Sequence, residues 1–240
     1  MKMPELTLPD TITPVFADTP RALCSRLASD MADVLAKRLQ QRSRVLLVVS
    51  GGSTPGPLFD ALAQTDLPWE RVDVVLADER WAPDGGDDRN DTLVRGRLIT
   101  GKAAQARLIS LIPVGQDSIT SACAAAEQQL RSLGWPADVV VLGMGNDGHT
   151  ASLFPDASET PAAMMADASR KVTITRPRSQ PRARLSLTFS ALRGAAMTVL
   201  HLRGNDKLET LRCALADPDD TLAMPIRGFL KHPIRLYWSP

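Results

Sequence analysis

Three short runs, 45–49, 72–77 and 138–142, limit what this chain can fold into more than any other feature. Each is almost continuous in valine, leucine and alanine, with an aspartate as the sole polar member of the second and third. A strand with one face in water alternates apolar and polar residues. A strand apolar on both faces belongs inside a sheet that is covered on both sides. Segments with helical periodicity lie between these runs, and strands alternating with helices require βαβ crossovers. The sequence therefore predicts an α/β fold of three layers, with a mostly parallel sheet between two layers of helices.

The rest of the chain extends the alternation. Asp18-Thr19-Pro20 reads as a helix start, a capping side chain followed by proline in the first turn. That helix is predicted to run to about Gln41, with Leu23, Leu27, Met31, Val34, Leu35 and Leu39 on its apolar face. Further helices are predicted at 58–64, 92–99, 118–133 and 205–216. Further strands are predicted at 107–112, 171–175, 185–189, 197–202 and 234–238. No internal repeat or long polar linker breaks the pattern, so a single domain over 1–240 is expected.

Composition excludes several functions. With 28 Lys and Arg against 27 Asp and Glu, the net charge is +1, unlike that of a globally basic nucleic-acid binder. Four Trp, one Tyr and five Phe are too few for a base-stacking platform. Cys24, Cys123 and Cys213 form no CxxC pair, which speaks against a disulfide framework or a cysteine zinc site. No apolar run approaches the roughly 20 residues that span a bilayer. The stretch Met1–Pro14, with Glu5, Asp10 and three prolines, does not read as a signal peptide. Neither a nucleic-acid nor a membrane partner is expected, and the expected compartment is the cytoplasm.

Four motifs carry chemistry. Ser50-Gly51-Gly52-Ser53-Thr54-Pro55 follows a predicted strand and precedes a helix. Its glycines let backbone approach an anion, Ser53 and Thr54 offer hydroxyl donors, and the helix start turns free N–H groups the same way. It is a phosphate cradle on that reading, and an ordinary strand–helix turn on the plainer one. It is neither a Walker loop nor a GxSxG elbow, since no lysine follows in register and Pro55 takes the last glycine position. The second motif, Leu142 to Thr150, satisfies GxGxxG with Gly143, Gly145 and Gly148, but Pro155 cuts off the long helix that a dinucleotide site needs. Within it, Asp147 stands two residues from His149, one of three histidines, and imidazole titrates where general acid–base work is done; the plainer reading is a structural turn histidine. His201 and His232 sit in or beside apolar segments and read as structural.

The third motif, Asp78-Glu79-Arg80, places three charges at a strand end. There Arg80 can clamp a carboxylate or phosphate, or simply close a salt-bridge knot. The fourth, Arg170–Arg184, holds six basic residues and no acidic one, and contrasts with the acidic loop 84–91. Such a stretch draws in a small anion or merely forms a solvated face. No HExxH and no His/Cys cluster points to a metal.

Taken together, these segments resemble the 6-phosphogluconolactonase family. The agreeing strings are SGGSTP at 50–55, DERWAP at 78–83 and LGMGNDGHTASLFP at 142–155, with weaker agreement at 184–188 and 204–207. The resemblance implies a Rossmann-like α/β fold shared with sugar-phosphate isomerases and deaminases. It also implies hydrolysis of 6-phospho-D-glucono-1,5-lactone to 6-phospho-D-gluconate, the second step of the oxidative pentose phosphate pathway, with no metal or organic cofactor. The chain departs from the family in carrying Arg89 where a serine commonly precedes Asn90. It also has Arg178-Ser179-Gln180-Pro181 in place of a proline-rich run, so the choice among Arg178, Arg182 and Arg184 stays open. Glucosamine-6-phosphate deaminases are similar at the Asp-Gly-His turn but carry a glutamate where this chain has Phe154, and an aromatic where it has Arg80.

The expected catalytic pair is His149 and Asp147. The expected substrate and phosphate contacts are Gly51, Gly52, Ser53, Thr54, Arg80, Asn90, Gly145, Thr150, Arg178, Arg184 and Lys207, with no metal site. The expected partner is the phosphorylated lactone alone, handled by a monomer or weak homo-oligomer. Two other functions are a glucosamine-6-phosphate deaminase or sugar-phosphate isomerase, and a non-catalytic sugar-phosphate sensor.

Overall fold

The computed structural model describes residues 6–82, 86 and 88–240. In chain order the elements are β1 (Ile12–Phe16), α1 (Pro20–Leu39), β2 (Val45–Val49), α2 (Gly56–Leu62), β3 (Val72–Leu76), β4 (Asp78–Arg80) and α3 (Asn90–Arg97). Then come β5 (Arg107–Ile109), α4 (Ile119–Arg131), β6 (Val139–Leu142), α5 (Thr160–Ala163), β7 (Val172–Thr175) and β8 (Arg184–Leu187). The chain closes with α6 (Phe189–Leu192), β9 (Met197–Arg203), α7 (Asn205–Ala216), α8 (Ile226–Leu230) and β10 (Ile234–Ser239).

Seven strands form one sheet in the order β1-β10-β9-β6-β2-β3-β5, every pair parallel. All residues of β2, β3 and β6 are buried, as the apolar runs require. Helix α1 starts where predicted, with the Thr19 side chain accepting from Ala22 N at 3.2 Å and Pro20 in the first turn. It lays Leu23, Leu27, Met31, Leu35 and Leu39 on the sheet, while Val34 stays at the margin. The sheet and its helices share one contiguous apolar core. A buried carboxylate ties α1 to the sheet: Asp138, fully enclosed, accepts from Arg38 Nε at 2.7 Å, Arg42 Nη1 at 2.8 Å and Leu46 N at 2.8 Å. Among the described residues no helix is long and apolar enough to cross a membrane.

Several features depart from the sequence expectation, the unpredicted short helices α5, α6 and α8 among them. The edge strand β1 is unpredicted; Pro14 lies within it, which an edge strand tolerates. The segments predicted as strands at 171–175 and 185–189 do not join the main sheet. As β7 and β8 they pair antiparallel with each other, and β8 pairs with β4, making a separate three-stranded sheet. The second of them ends at Leu187 because Thr188 turns to cap α6, accepting from Ala191 N at 3.3 Å. Asp78-Glu79-Arg80 is therefore not the tip of β3 but a strand of the small sheet. Ala77 is the junction: its N–H donates to Val49 O in the main sheet, and its carbonyl accepts from Leu187 N in the small one, both at 2.8 Å.

The strand order places the site. From β2 the chain builds outward through β3 and β5. It then returns to set β6 on the other side of β2 and builds the opposite way through β9 and β10. The connections leaving β2 and β6 diverge, and in parallel sheets ligands bind in the crevice beyond the strand ends at such a switch point.

Candidate active site

A cavity of about 330 Å³ opens at this point. Its walls come from the segment after β2 (Ser50 to Pro55), the segment after β6 (Gly143 to Gly145, His149 to Ala151), the end of β9 with Lys207 of α7, and the small sheet and α3 (Asp78, Arg80, Asn90, Arg184). Loops from opposite halves of the chain are thus stitched together. Ser50 donates through both N and Oγ to Val141 O, at 3.1 and 3.0 Å.

The glycine turn after β6 is wound around His149. Gly145 N donates to His149 O at 2.9 Å, Gly148 N to Gly145 O at 3.0 Å, and Thr150 Oγ1 to Gly143 O at 2.8 Å. A Cβ on Gly145 would stand 2.1 Å from the imidazole, so only glycine leaves room for the ring. Asp147 Oδ1 accepts from His149 N at 3.1 Å and lies 2.5 Å from His149 Nδ1. A carboxylate on Nδ1 fixes the tautomer and leaves Nε2 as the nitrogen for chemistry. Burial pushes the Asp147 carboxyl up, but the hydrogen bonds and charge of His149 outweigh it, and the group sits below the usual carboxylate range.

Two sets of cations face the cavity. On the small sheet, Arg80 donates to Asp88 O at 3.0 Å, and buried Arg184 reaches Gln180 Oε1 at 2.7 Å with Nη2. Arg184 Nη1 lies 4.0 Å from Asp78 Oδ2, which accepts from Ser152 Oγ at 2.5 Å, while Arg184 Nε is buried without a partner among the described residues. Burial is the main force lowering the Arg184 pKa, opposed by Asp78 and reinforced by Arg80. On the main sheet, Arg203 ends β9, and Lys207 donates to Asn146 Oδ1.

Asn90 enters through Glu79. That carboxylate is fully enclosed and accepts from the backbone N–H of Arg80, Asn90 and Asp91, each at 2.8 Å, with Arg89 Nε at 3.6 Å from Oε2. It supplies the N-terminal acceptor that α3 lacks, since Arg89 at the cap position offers none. Burial pushes the Glu79 carboxyl up to about 7 against those three N–H donors. Asn90 Nδ2 donates to Asp78 O at 3.0 Å, and its side chain packs against Gly51 so closely that a Cβ there would lie 2.1 Å from Oδ1.

Of the residues expected at the site, His149, Gly51, Gly52, Ser53, Thr54, Arg80, Asn90, Gly145, Thr150, Arg184 and Lys207 all line this cavity, with Asp147 directly behind His149. Arg178 does not line it; that residue is exposed, and Arg182 pairs with Asp88 Oδ2 at 2.8 Å instead. Part of the acidic loop, residues 84, 85 and 87, and Pro83 of the DERWAP string lie outside the described residues. Three further residues border the cavity: Asp78, which the sequence reading placed in a motif but not among the site residues, His201, which it read as structural, and Arg203, which it did not single out. Arg203 carried a usable signal, its place at a parallel strand's end just before Gly204-Asn205-Asp206-Lys207. His201 carried none, being flanked by leucines; its Nε2 lies 3.9 Å from Cys24 Sγ, and burial pushes its pKa down to about 4. Among the described residues no group of three or more His, Cys, Asp or Glu is placed to hold a metal ion.

Residues 18–238 match the family described as glucosamine-6-phosphate isomerases/6-phosphogluconolactonase. The chain is 42% identical over 214 residues to a 6-phosphogluconolactonase of Pseudomonas aeruginosa, covering 89% of each. It is 40% identical over 240 residues to one of Pseudomonas putida, covering 100% of this chain and 98% of the relative. A crystal structure of a 6-phosphogluconolactonase from Shewanella baltica superposes with a TM-score of 0.91 at 38% identity, covering 95% of this chain and 98% of that one.

Proposed function

Because the chain belongs to the glucosamine-6-phosphate isomerase/6-phosphogluconolactonase family, we propose that this cavity hydrolyses 6-phospho-D-glucono-1,5-lactone to 6-phospho-D-gluconate in the oxidative pentose phosphate pathway, with His149 as the base. One observation supports the assignment above others: the Asp147–His149 pair opens on a cavity whose walls also carry Arg80, Arg184, Arg203 and Lys207. A lactone is an activated acyl group, so water is a sufficient nucleophile once deprotonated, and no metal, cofactor or covalent intermediate is needed.

His149 Nε2 takes a proton from water as the water oxygen bonds to C1. The resulting imidazolium is stabilised by Asp147 on Nδ1. The tetrahedral intermediate then expels the ring oxygen as the C1–O bond breaks, and Nε2 returns its proton to that oxygen. Positioned base catalysis contributes about 10²–10⁴-fold. The 6-phosphate is held by the Gly51, Gly52, Ser53 and Thr54 loop with Lys207 and Arg184, and this remote grip places C1 against His149. Arg80 or the N–H groups of the glycine turn stabilise the developing oxyanion. The enzyme acts in the cytoplasm as a monomer or weak homo-oligomer.

Deamination is the poorer reading, because Phe154 stands behind His149 and has no proton to transfer. A coupled assay on freshly made lactone, with spontaneous hydrolysis subtracted, tests the proposal. His149→Ala should lower kcat at least about 100-fold with little change in KM; full turnover in a folded variant removes His149 as the base. Tight binding of 6-phosphogluconate with no turnover in the unaltered protein would identify a sensor instead.

A further inference from the structure

Among the described residues the His149 ring is hydrogen-bonded at one atom, Nδ1, by Asp147, and about that point the ring can still tilt. The ring is more than a quarter exposed, so the cavity side does not confine it. On its other side lies Phe154, with ring centroids 3.9 Å apart and planes within 23° of parallel. Phe154 is buried and does not line the cavity. Its own placement is set by backbone: Leu153 N donates to Thr150 O at 3.0 Å, and Phe154 O accepts from Thr160 Oγ1 at 2.6 Å. The Arg184 guanidinium lies 5.2 Å from the centroid of the same phenyl ring.

We propose that Phe154 is a positioning residue for the lactonase reaction, a flat stop that holds the His149 imidazole in the plane from which Nε2 meets the attacking water. The inference rests on His149 being the base. Phe154 touches neither substrate nor water and acts through the imidazole. A leucine or methionine fills most of the same volume without offering a flat face, so it retains the packing and loses the orientation.

The test uses the whole protein and its three histidines. With ¹³C-labelled histidine, the His149 ring signal of the unaltered protein should lie upfield of free imidazole, shifted by the ring current of Phe154. A signal at or downfield of the free position overturns the stack. In Phe154→Leu, and in Phe154→Met if the first does not fold, that signal should move downfield. At the same time kcat should fall about three- to tenfold, by a larger factor than KM rises. If His149→Ala has lost turnover but both Phe154 variants keep the unaltered kcat, the Phe154 inference fails and the base assignment stands. If His149→Ala keeps full turnover, the base assignment fails and this inference falls with it.

Discussion

Gly51→Ala perturbs the site without touching the Asp147–His149 pair. The added methyl carbon would lie 2.1 Å from Asn90 Oδ1, 2.2 Å from Cγ and 2.8 Å from Cβ, all far inside contact distance. Asn90 cannot give way cheaply. It is buried, its amide donates to Asp78 O, and its backbone is held by Glu79. Relief requires the side chain to leave, which combines overpacking strain of about 1–3 kcal/mol with a lost hydrogen bond of about 0.5–1.5 kcal/mol. Replacing glycine stiffens the unfolded chain and returns about 0.4–1 kcal/mol. The expected net loss is about 2–3 kcal/mol in urea unfolding, with KM for the lactone raised because Asn90 lines the cavity. In Gly51→Ala/Asn90→Ala the two closest atoms are gone, so the paired loss should fall short of the sum of the single losses by at least about 1 kcal/mol. A single variant within about 0.5 kcal/mol of the unaltered protein, or strict additivity in the pair, would refute the close approach as the reason for glycine here.

Three other outcomes follow from the same geometry. Asp138→Ala leaves Arg38 and Arg42 facing an empty acceptor site and should cost about 3–5 kcal/mol in chemical unfolding; a loss below about 1 kcal/mol sinks the anchor role. His201, held near 4 by burial, stays neutral while the unfolded chain takes up a proton below its ordinary value of about 6.5. Its contribution is therefore present above about pH 6.5 and declines as pH falls toward 4, by about 3 kcal/mol in all. His201→Gln should remove that dependence, and equal acid losses in both proteins would count against it. Arg184→Ala should raise KM for the phosphorylated lactone about tenfold or more, whereas exposed Arg178→Ala should leave it unchanged; comparable effects would return Arg178 to the site.

The centre of the sheet was legible because β2, β3 and β6 are buried on both faces, and apolar runs such as Val45–Val49 admit no other placement. The glycine-rich segments 50–55 and 143–150 were legible as cavity borders because each follows a strand of the parallel sheet, and the crevice opens beyond those strand ends. The small sheet was hidden. Its strands β7 and β8 are four residues each, and four residues do not declare which sheet they join. Position in space, not pattern, also separated Arg184 from Arg178, which stand six residues apart in one basic stretch. His201 reads from the sequence as a core residue, and it is buried; only the crevice between β2 and β6 shows that a buried residue on β9 can also border a cavity. Glu79 was seen as one charge of three, while its work as the acceptor for α3 depends on a chain segment returning eleven residues later.

The cavity has two walls of different construction, and that division has a consequence for how such a protein can change. The glycine loops and Lys207 are carried by the parallel sheet, whose central strands β2 and β6 are apolar throughout. Arg80, Arg184 and Asp78 are carried by the small antiparallel sheet, tied to the first by the Ala77 backbone and by Ser152 of the segment after β6, whose N donates to Ser186 Oγ and whose Oγ donates to Asp78 Oδ2. Neither tie uses the Arg80 or Arg184 side chain. Those two side chains can therefore be exchanged without unfastening the sheets, and the fold can take on a different reaction by refurnishing one surface.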